Sequence, residues 1–410
     1  MTNHFTLQTL LRQASRDLLG IYLTHSGIDL GIDVAKLKPR NIDPIIEAIN
    51  RLPDDRRAAL DRELREIWAL ASESGLRSIL DEAGHQSVVL VDRLQPLDGF
   101  LDKAIWTFVN ARAVFDGAAR FVVRETLPAR YWKRRLPLTG APTGDLASRV
   151  EALEHAVCGF FQREGRGRSC HIDYAARGPR HWFFAFPEDY TSAPLVWSDG
   201  SLRRQPIHPA FEVIFVYDSE HGFLDLYVEG PKSTIEALWH LFADVVLGIS
   251  ELPPMTKPAY AIEALKSRSF AYIRPPGSPI IDVKVTRLGL LVLAGPQTTV
   301  SIAVDVPGSP DTMYSEIDRL FAQAAPQAGR YALSQAKVIG VRLKATLDPG
   351  DGKKLRSRTF DLSPKACALK HEGTDELLRQ MLIDSGIDLI GRPGDAGGRE
   401  ARPASQLAAE

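Results

Sequence analysis

The sequence predicts an α+β protein, a helical N-terminal domain followed by one or two mostly antiparallel α+β modules. Over residues 1–165 apolar side chains recur at three- and four-residue steps, the period of one buried helix face. Beyond residue 166 the apolar period falls to two, and the runs are punctuated by turns rich in Gly and Pro. A third observation divides the β part. Leu252-Pro-Pro-Met-Thr-Lys-Pro258 holds three prolines, which continue neither helix nor central strand, and reads as a linker. The expected domains are therefore 1–165, 166–252 and 259–390, with 391–410 as a disordered tail of Gly, Pro, Ala and charge.

Within the helical part, Phe5, Leu7, Leu10, Leu11, Ala14, Leu18 and Ile21 predict one amphipathic helix that Gly27 stops. Pro44 suits the first turn of a helix over 43–52, where its missing N–H costs nothing. Leu60, Leu64, Ile67, Trp68 and Leu70 form the apolar stripe of a helix over 54–74 whose other face is charged. Residues 97–123 carry Leu101, Ile105, Phe108, Ala111, Phe115, Ala118 and Val122 at helical steps, widened by Phe100, Val109 and Val114, and predict a deeply buried helix. A last helix, near 145–162, is expected to close this domain.

In the β part, 169–175 and 180–186 read as a hairpin around Ala176-Arg-Gly-Pro179. Residues 211–217 and 223–228 form a second hairpin around Asp218-Ser-Glu-His-Gly222, followed by a helix over 233–247. After the linker, strands are expected over 280–293 and 299–306, a helix over 313–324, a hairpin of 337–347 with 355–362, and a helix over 374–385. The repeated order of two strands then a helix hints at internal duplication.

Composition narrows the function classes. Lys plus Arg total 50 and Asp plus Glu total 51, so no global field draws in a polyanion and any electrostatic partner must meet a local patch. Three cysteines, Cys158, Cys170 and Cys367, with no C-x-x-C pair argue against a disulfide framework or a structural zinc site. No metal or cofactor is expected. The opening residues lack a basic cluster followed by an apolar run, and no stretch approaches membrane-spanning length, so a reduced, cytoplasmic protein without membrane partners is expected. The sequence contains no G-x-x-x-x-G-K-[ST], H-E-x-x-H, G-x-S-x-G or EF-hand pattern, and no G-x-G-x-x-G after a strand.

Three basic stretches remain. Pro128-Ala-Arg-Tyr-Trp-Lys-Arg-Arg135 sets four cations around two aromatics, residues 163–168 hold three arginines, and Lys353, Lys354, Arg356 and Arg358 line the last hairpin. Lys and Arg neutralise phosphates and release counterions, while aromatic rings stack bases. In the 169–186 hairpin, placing Ala175 opposite Arg180 sets His171, Asp173, Arg180, Trp182 and Phe184 on one sheet face. The leading expectation is a non-enzymatic binding protein that recognises nucleic acid or a protein partner where the helical and β parts join. Its anchors would be Arg130, Trp132, Lys133, Arg134, Arg135, Arg166, Arg168, Arg180 and Trp182.

Two resemblances suggest enzymes. Arg166 and His171 are spaced similarly to the Arg and His of HEPN-type ribonucleases, although those lie on a helix and His171 falls in a predicted strand. Asp282 and Lys284 resemble the second half of the restriction-nuclease pattern, and also fit the exposed side of a half-buried strand. The alternatives are thus a metal-dependent nuclease-type enzyme using His171 and Asp173, with Asp282 and Lys284 as a further candidate pair, or a structural subunit of a larger complex.

Overall fold

The computed structural model describes residues 5–390 except 39, 126, 141, 143–144, 199, 256–257, 293–297, 305–311, 325–335, 351, 353 and 370–373. The tail 391–410 and Lys353 lie outside the described residues. The chain forms two compact units, Met1–Leu127 and Pro128–Glu410.

The first unit is helical: α1 (Leu7–Gln13), α2 (Arg16–His25), α3 (Asp43–Asn50), α4 (Asp54–Leu70), α5 (Glu73–His85), α6 (Val91–Leu94), α7 (Gly99–Asn110) and α8 (Arg112–Glu125). The expected stripes form its core, with Leu10, Tyr22, Leu64, Ile67, Ile105, Phe108 and Phe115 buried together. Two expected helices are broken. The first ends at Ala14 because the Ser15 hydroxyl accepts the Leu18 N–H and starts α2 afresh. The Ser15 N–H donates at 2.9 Å to Asp102 on α7, a carboxyl that burial pushes up. The second breaks at Ala111, whose backbone leaves the helical region at φ −142°, ψ 56°. That bend lets Phe108 of α7 meet Phe115 of α8 edge to face at 5.0 Å.

The second unit holds two antiparallel five-stranded sheets and a separate two-stranded ribbon. The first sheet is built from β1 (Trp132–Arg135), β2 (Ile172–Arg177), β3 (Arg180–Ala185), β6 (Val213–Asp218) and β7 (Phe223–Tyr227), in the order β1-β7-β6-β3-β2. The ribbon is β4 (Leu195–Ser198) with β5 (Ser201–Arg204). Helices α9 (Leu146–Gln162) and α10 (Lys232–Leu247) cover one face of the first sheet, burying Val157, Phe161, Phe183, Phe215, Leu238 and Phe242. The helix expected to close the helical domain therefore packs on a sheet, and this unit begins at residue 128 rather than 166.

The second sheet contains β8 (Ile280–Val292), β9 (Thr298–Ala303), β10 (Ala336–Leu347), β11 (Arg356–Ser363) and β12 (Ala366–Cys367), ordered β12-β11-β10-β8-β9. Its inner face packs on α11 (Thr312–Ala324), α12 (Thr374–Asp384) and a 3-10 turn at Ile262–Lys266, burying Leu288, Leu343, Ile317 and Leu378. In the first sheet the earlier strand of the opening hairpin, β2, is at the edge. In the second sheet the earlier strand, β8, lies inside, so the two sheets do not repeat one topology.

The two sheets belong to one compact unit rather than to modules hung on a linker. Strand β1 lies against β12, with the Arg134 N–H donating to the Lys365 carbonyl at 2.9 Å. Among the described residues, no helix is long and apolar enough to cross a membrane.

Candidate nucleic-acid interface

Most of the expected anchors are committed within the fold. Arg134, on β1, is 2% exposed and donates to both oxygens of Asp225 at 2.8 Å and both oxygens of Asp388 at 2.8 and 2.9 Å. Its guanidinium lies 3.9 Å from the Phe223 ring centre. Burial opposes its charge, but Asp225 and Asp388 outweigh that and hold it well above the usual arginine range. Arg135 is 6% exposed and donates to the carbonyls of Leu136 and Pro253. Trp182 is 3% exposed and stacks on Phe184. These three cannot touch a nucleic acid, because the fold's own backbone, rings and carboxylates occupy them.

The rest are half-committed. Trp132 packs on Tyr227 at 5.5 Å. Lys133 donates to the carbonyls of Arg130 and Trp132, and burial pushes its ammonium pKa down. Arg166 pairs with Glu164 and Asp189 over the Phe161 and Phe211 rings. Arg180 bridges Asp218 and Glu376. Only Arg130, lying over Tyr131, and Arg168 are exposed members of the set. In the last hairpin Arg358 is bonded to Asp375, whereas Lys354 and Arg356 are exposed.

The β2–β3 hairpin turns more tightly than expected. Gly178 adopts φ +56°, so Arg177 pairs with Arg180 across a two-residue connection and Ala175 lies opposite Trp182. The shift is two residues, which keeps Asp173, Arg180, Trp182 and Phe184 on one face. His171 precedes β2 and is exposed, its ring nitrogens 3.3 Å from Asp173 Oδ1 and 3.6 Å from Glu154 Oε2. Glu154 also accepts the Ile172 N–H. Among the described residues no group of three His, Cys, Asp or Glu side chains is disposed to hold a metal.

A different surface gathers accessible cations. The outer face of the second sheet is set by register. Lys344 of β10 lies opposite Lys284 of β8, and Arg342 lies opposite Arg287. Lys284 and Arg287 are three residues apart and would normally face opposite ways. A β-bulge at Thr286 inserts one extra residue, its hydroxyl donating to the Arg342 carbonyl, and brings both to the same face. On the far side of β10, Thr359 faces Lys344 and Asp361 faces Arg342. Lys337 joins them farther along, opposite Leu291. Five cations thus share the face with the carboxylates Asp282 and Asp361.

Like charges directly opposed on neighbouring strands oppose folding by roughly 0.2–1 kcal/mol a pair. Asp361 relieves one pair, accepting from Arg342 at 2.8 and 2.9 Å and from Arg287 at 2.9 Å. The Arg342 and Arg287 guanidiniums hold its carboxyl below the usual range. The other pair is less compensated. Lys284 reaches Asp282 at 3.3 Å, but Lys344 is exposed with no ion-pair partner among the described residues. On this face Asp282 and Lys284, and Arg342 and Lys344, follow the strand alternation of the sequence, whereas the bulge puts Arg287 out of phase with Lys284. No protein-family model matches the chain, and no curated protein is detectably similar to it.

Proposed function

We propose that the chain is a non-enzymatic binding protein that holds nucleic acid on the outer face of its second sheet. The supporting observation is the doubled row of opposed cations, Lys284 with Lys344 and Arg287 with Arg342, of which Lys344 is exposed and the other three are partly exposed. Phosphates set between those rows would release counterions and relieve the cross-strand repulsion. Serine and threonine hydroxyls at 299, 301, 357 and 359 lie on exposed positions of the same sheet and can donate to phosphate oxygens. Among the described residues no aromatic side chain shares the cation rows, so the reading is of backbone rather than base recognition. A cytoplasmic location goes with this reading, supported by three free thiols at Cys158, Cys170 and Cys367.

The test is fluorescence anisotropy with a labelled oligothymidylate over a salt series. Engagement of all five cations gives log K a slope of about −3.5 against log salt, at roughly 0.7 per phosphate on a single strand. Lys284→Ala with Lys344→Ala should flatten that slope by about 1.4 without lowering the melting temperature. Absence of binding at low salt, or a slope indifferent to the double variant, refutes the proposal. The nuclease alternative draws on the contacts of His171 with Asp173 and Glu154. It requires strand cleavage with a divalent cation that His171→Ala abolishes.

A further inference from the structure

Between β3 and β6 the chain leaves the first sheet as a two-stranded arm. Strands β4 and β5 pair only with each other, and bridges at Ser192–Ile207 and Glu188–Ala210 carry the pairing back to its root. Trp197 lies opposite Leu202 and Leu195 opposite Arg204, so these four side chains share one side of the ribbon. Trp197 is 73% exposed, Leu195 56% and Leu202 50%. A ribbon of two strands is marginal in water without a layer behind it, and this apolar side is exposed.

The helical unit carries the complementary chemistry. A groove of about 710 Å³ is lined by Ile21, Ile28, Leu30 and Ile32 together with His25, Asp17, Asp29 and Asp33, the last of which also pairs with Lys36 at 2.7 Å. Ile21 there is 51% exposed. An apolar strip bearing an arginine thus matches an apolar trough bearing carboxylates. Trp and Arg are also the residues that most often carry interface energy.

We infer that the arm of one copy seats in the groove of a second copy, with Trp197 as anchor and Arg204 toward the acidic lining. The two surfaces differ, so the contact is head to tail and a dimer keeps one free arm, on one copy, and one free groove, on the other. The patch is small beside the roughly 800 Å² per partner of a standard interface, so association is weak and concentration-dependent.

Sedimentation velocity of the full chain, up to about 1 mM where even millimolar affinity registers, tests this. The wild type should sediment faster as concentration rises. Trp197→Ala with Leu202→Ser, which removes the arm's anchor, should stay monomeric. Ile21→Lys, which places a cation in the groove at an exposed site, should do the same. Mixing these two variants should give a one-to-one dimer and nothing larger, since one arm and one groove remain competent. Thermal melts matching the wild type would show that both variants are folded. A wild type that stays monomeric throughout, association that survives both substitutions, or a mixture without dimer overturns the inference.

Discussion

Replacing Arg134 with methionine should cost the β unit several kcal/mol while leaving nucleic-acid binding intact. The guanidinium makes four charge-assisted hydrogen bonds of 2.8–2.9 Å to Asp225 and Asp388, which are 5% and 3% exposed. Methionine fills similar space but leaves two buried carboxylates without the cation between them. Breaking a buried pair in this way costs about 3–5 kcal/mol, a large share of the ~5–15 kcal/mol that stabilises an ordinary domain. At ~2–4 °C per kcal/mol the melting transition should fall by about 6–20 °C in calorimetry. The deficit should also depend on pH in a defined direction. Burial pushes the Asp388 carboxyl up from its ordinary 3.8, and Arg134 pulls against that. Without the guanidinium the folded-state value rises further. A carboxyl that is harder to ionise folded than unfolded weakens the fold as pH climbs from 3.8 through the raised value. The variant should therefore approach wild type in acid and fall behind toward neutrality. A variant within about 1 kcal/mol of wild type at pH 7, below the expected penalty, with the same pH profile would refute the reasoning. So would weakened nucleic-acid binding with unchanged stability, which would restore Arg134 as an anchor.

Three further substitutions test the helical packing and the sheet face. Helix α5 offers a matched pair: a Cβ at Gly75 would sit 2.2 Å from the Leu70 carbonyl oxygen, whereas one at Gly84 meets nothing within 4 Å. Gly75→Ala should lower stability by about 1–3 kcal/mol and Gly84→Ala should raise it by roughly 0.5–1 kcal/mol, both read from urea unfolding; the same sign for both would refute the close approach. On the second sheet, NMR titration of the Asp361 carboxyl should give a midpoint below 3.8, returning toward that value in Arg342→Ala. The stability Asp361 contributes is present above its unfolded-state pKa and is lost as pH falls through the folded-state value.

Much of the architecture is legible in local pattern. The helical stripes around Leu64, Ile105 and Phe115 are the observed core. The sharing of one face by Asp173, Arg180, Trp182 and Phe184 follows from strand alternation even though the loop between them is two residues shorter than expected. The breaks at Ala14 and Ala111 are hidden because the apolar stripe continues across them; only the capping serine at 15 signals the first. Arg134 illustrates a deeper obstacle. Its neighbours, Trp-Lys-Arg-Arg, resemble a solvated basic cluster, and the carboxylates that claim it are 91 and 254 positions away. The cationic face is obscured for the opposite reason, since Arg287 looks out of step with Lys284 until the extra residue in β8 is known.

That extra residue fixes a reading frame. Upstream of Thr286, even-numbered positions 282 and 284 look to water. Downstream, odd-numbered 287, 289 and 291 do. Deleting Thr286 would join Val285 directly to Arg287, and ordinary alternation would then keep Asp282, Lys284, Arg287, Gly289 and Leu291 outward with Val283, Val285, Leu288 and Leu290 inward. The cation rows would survive that loss, while the strand would lose the bend and added twist that a bulge imposes.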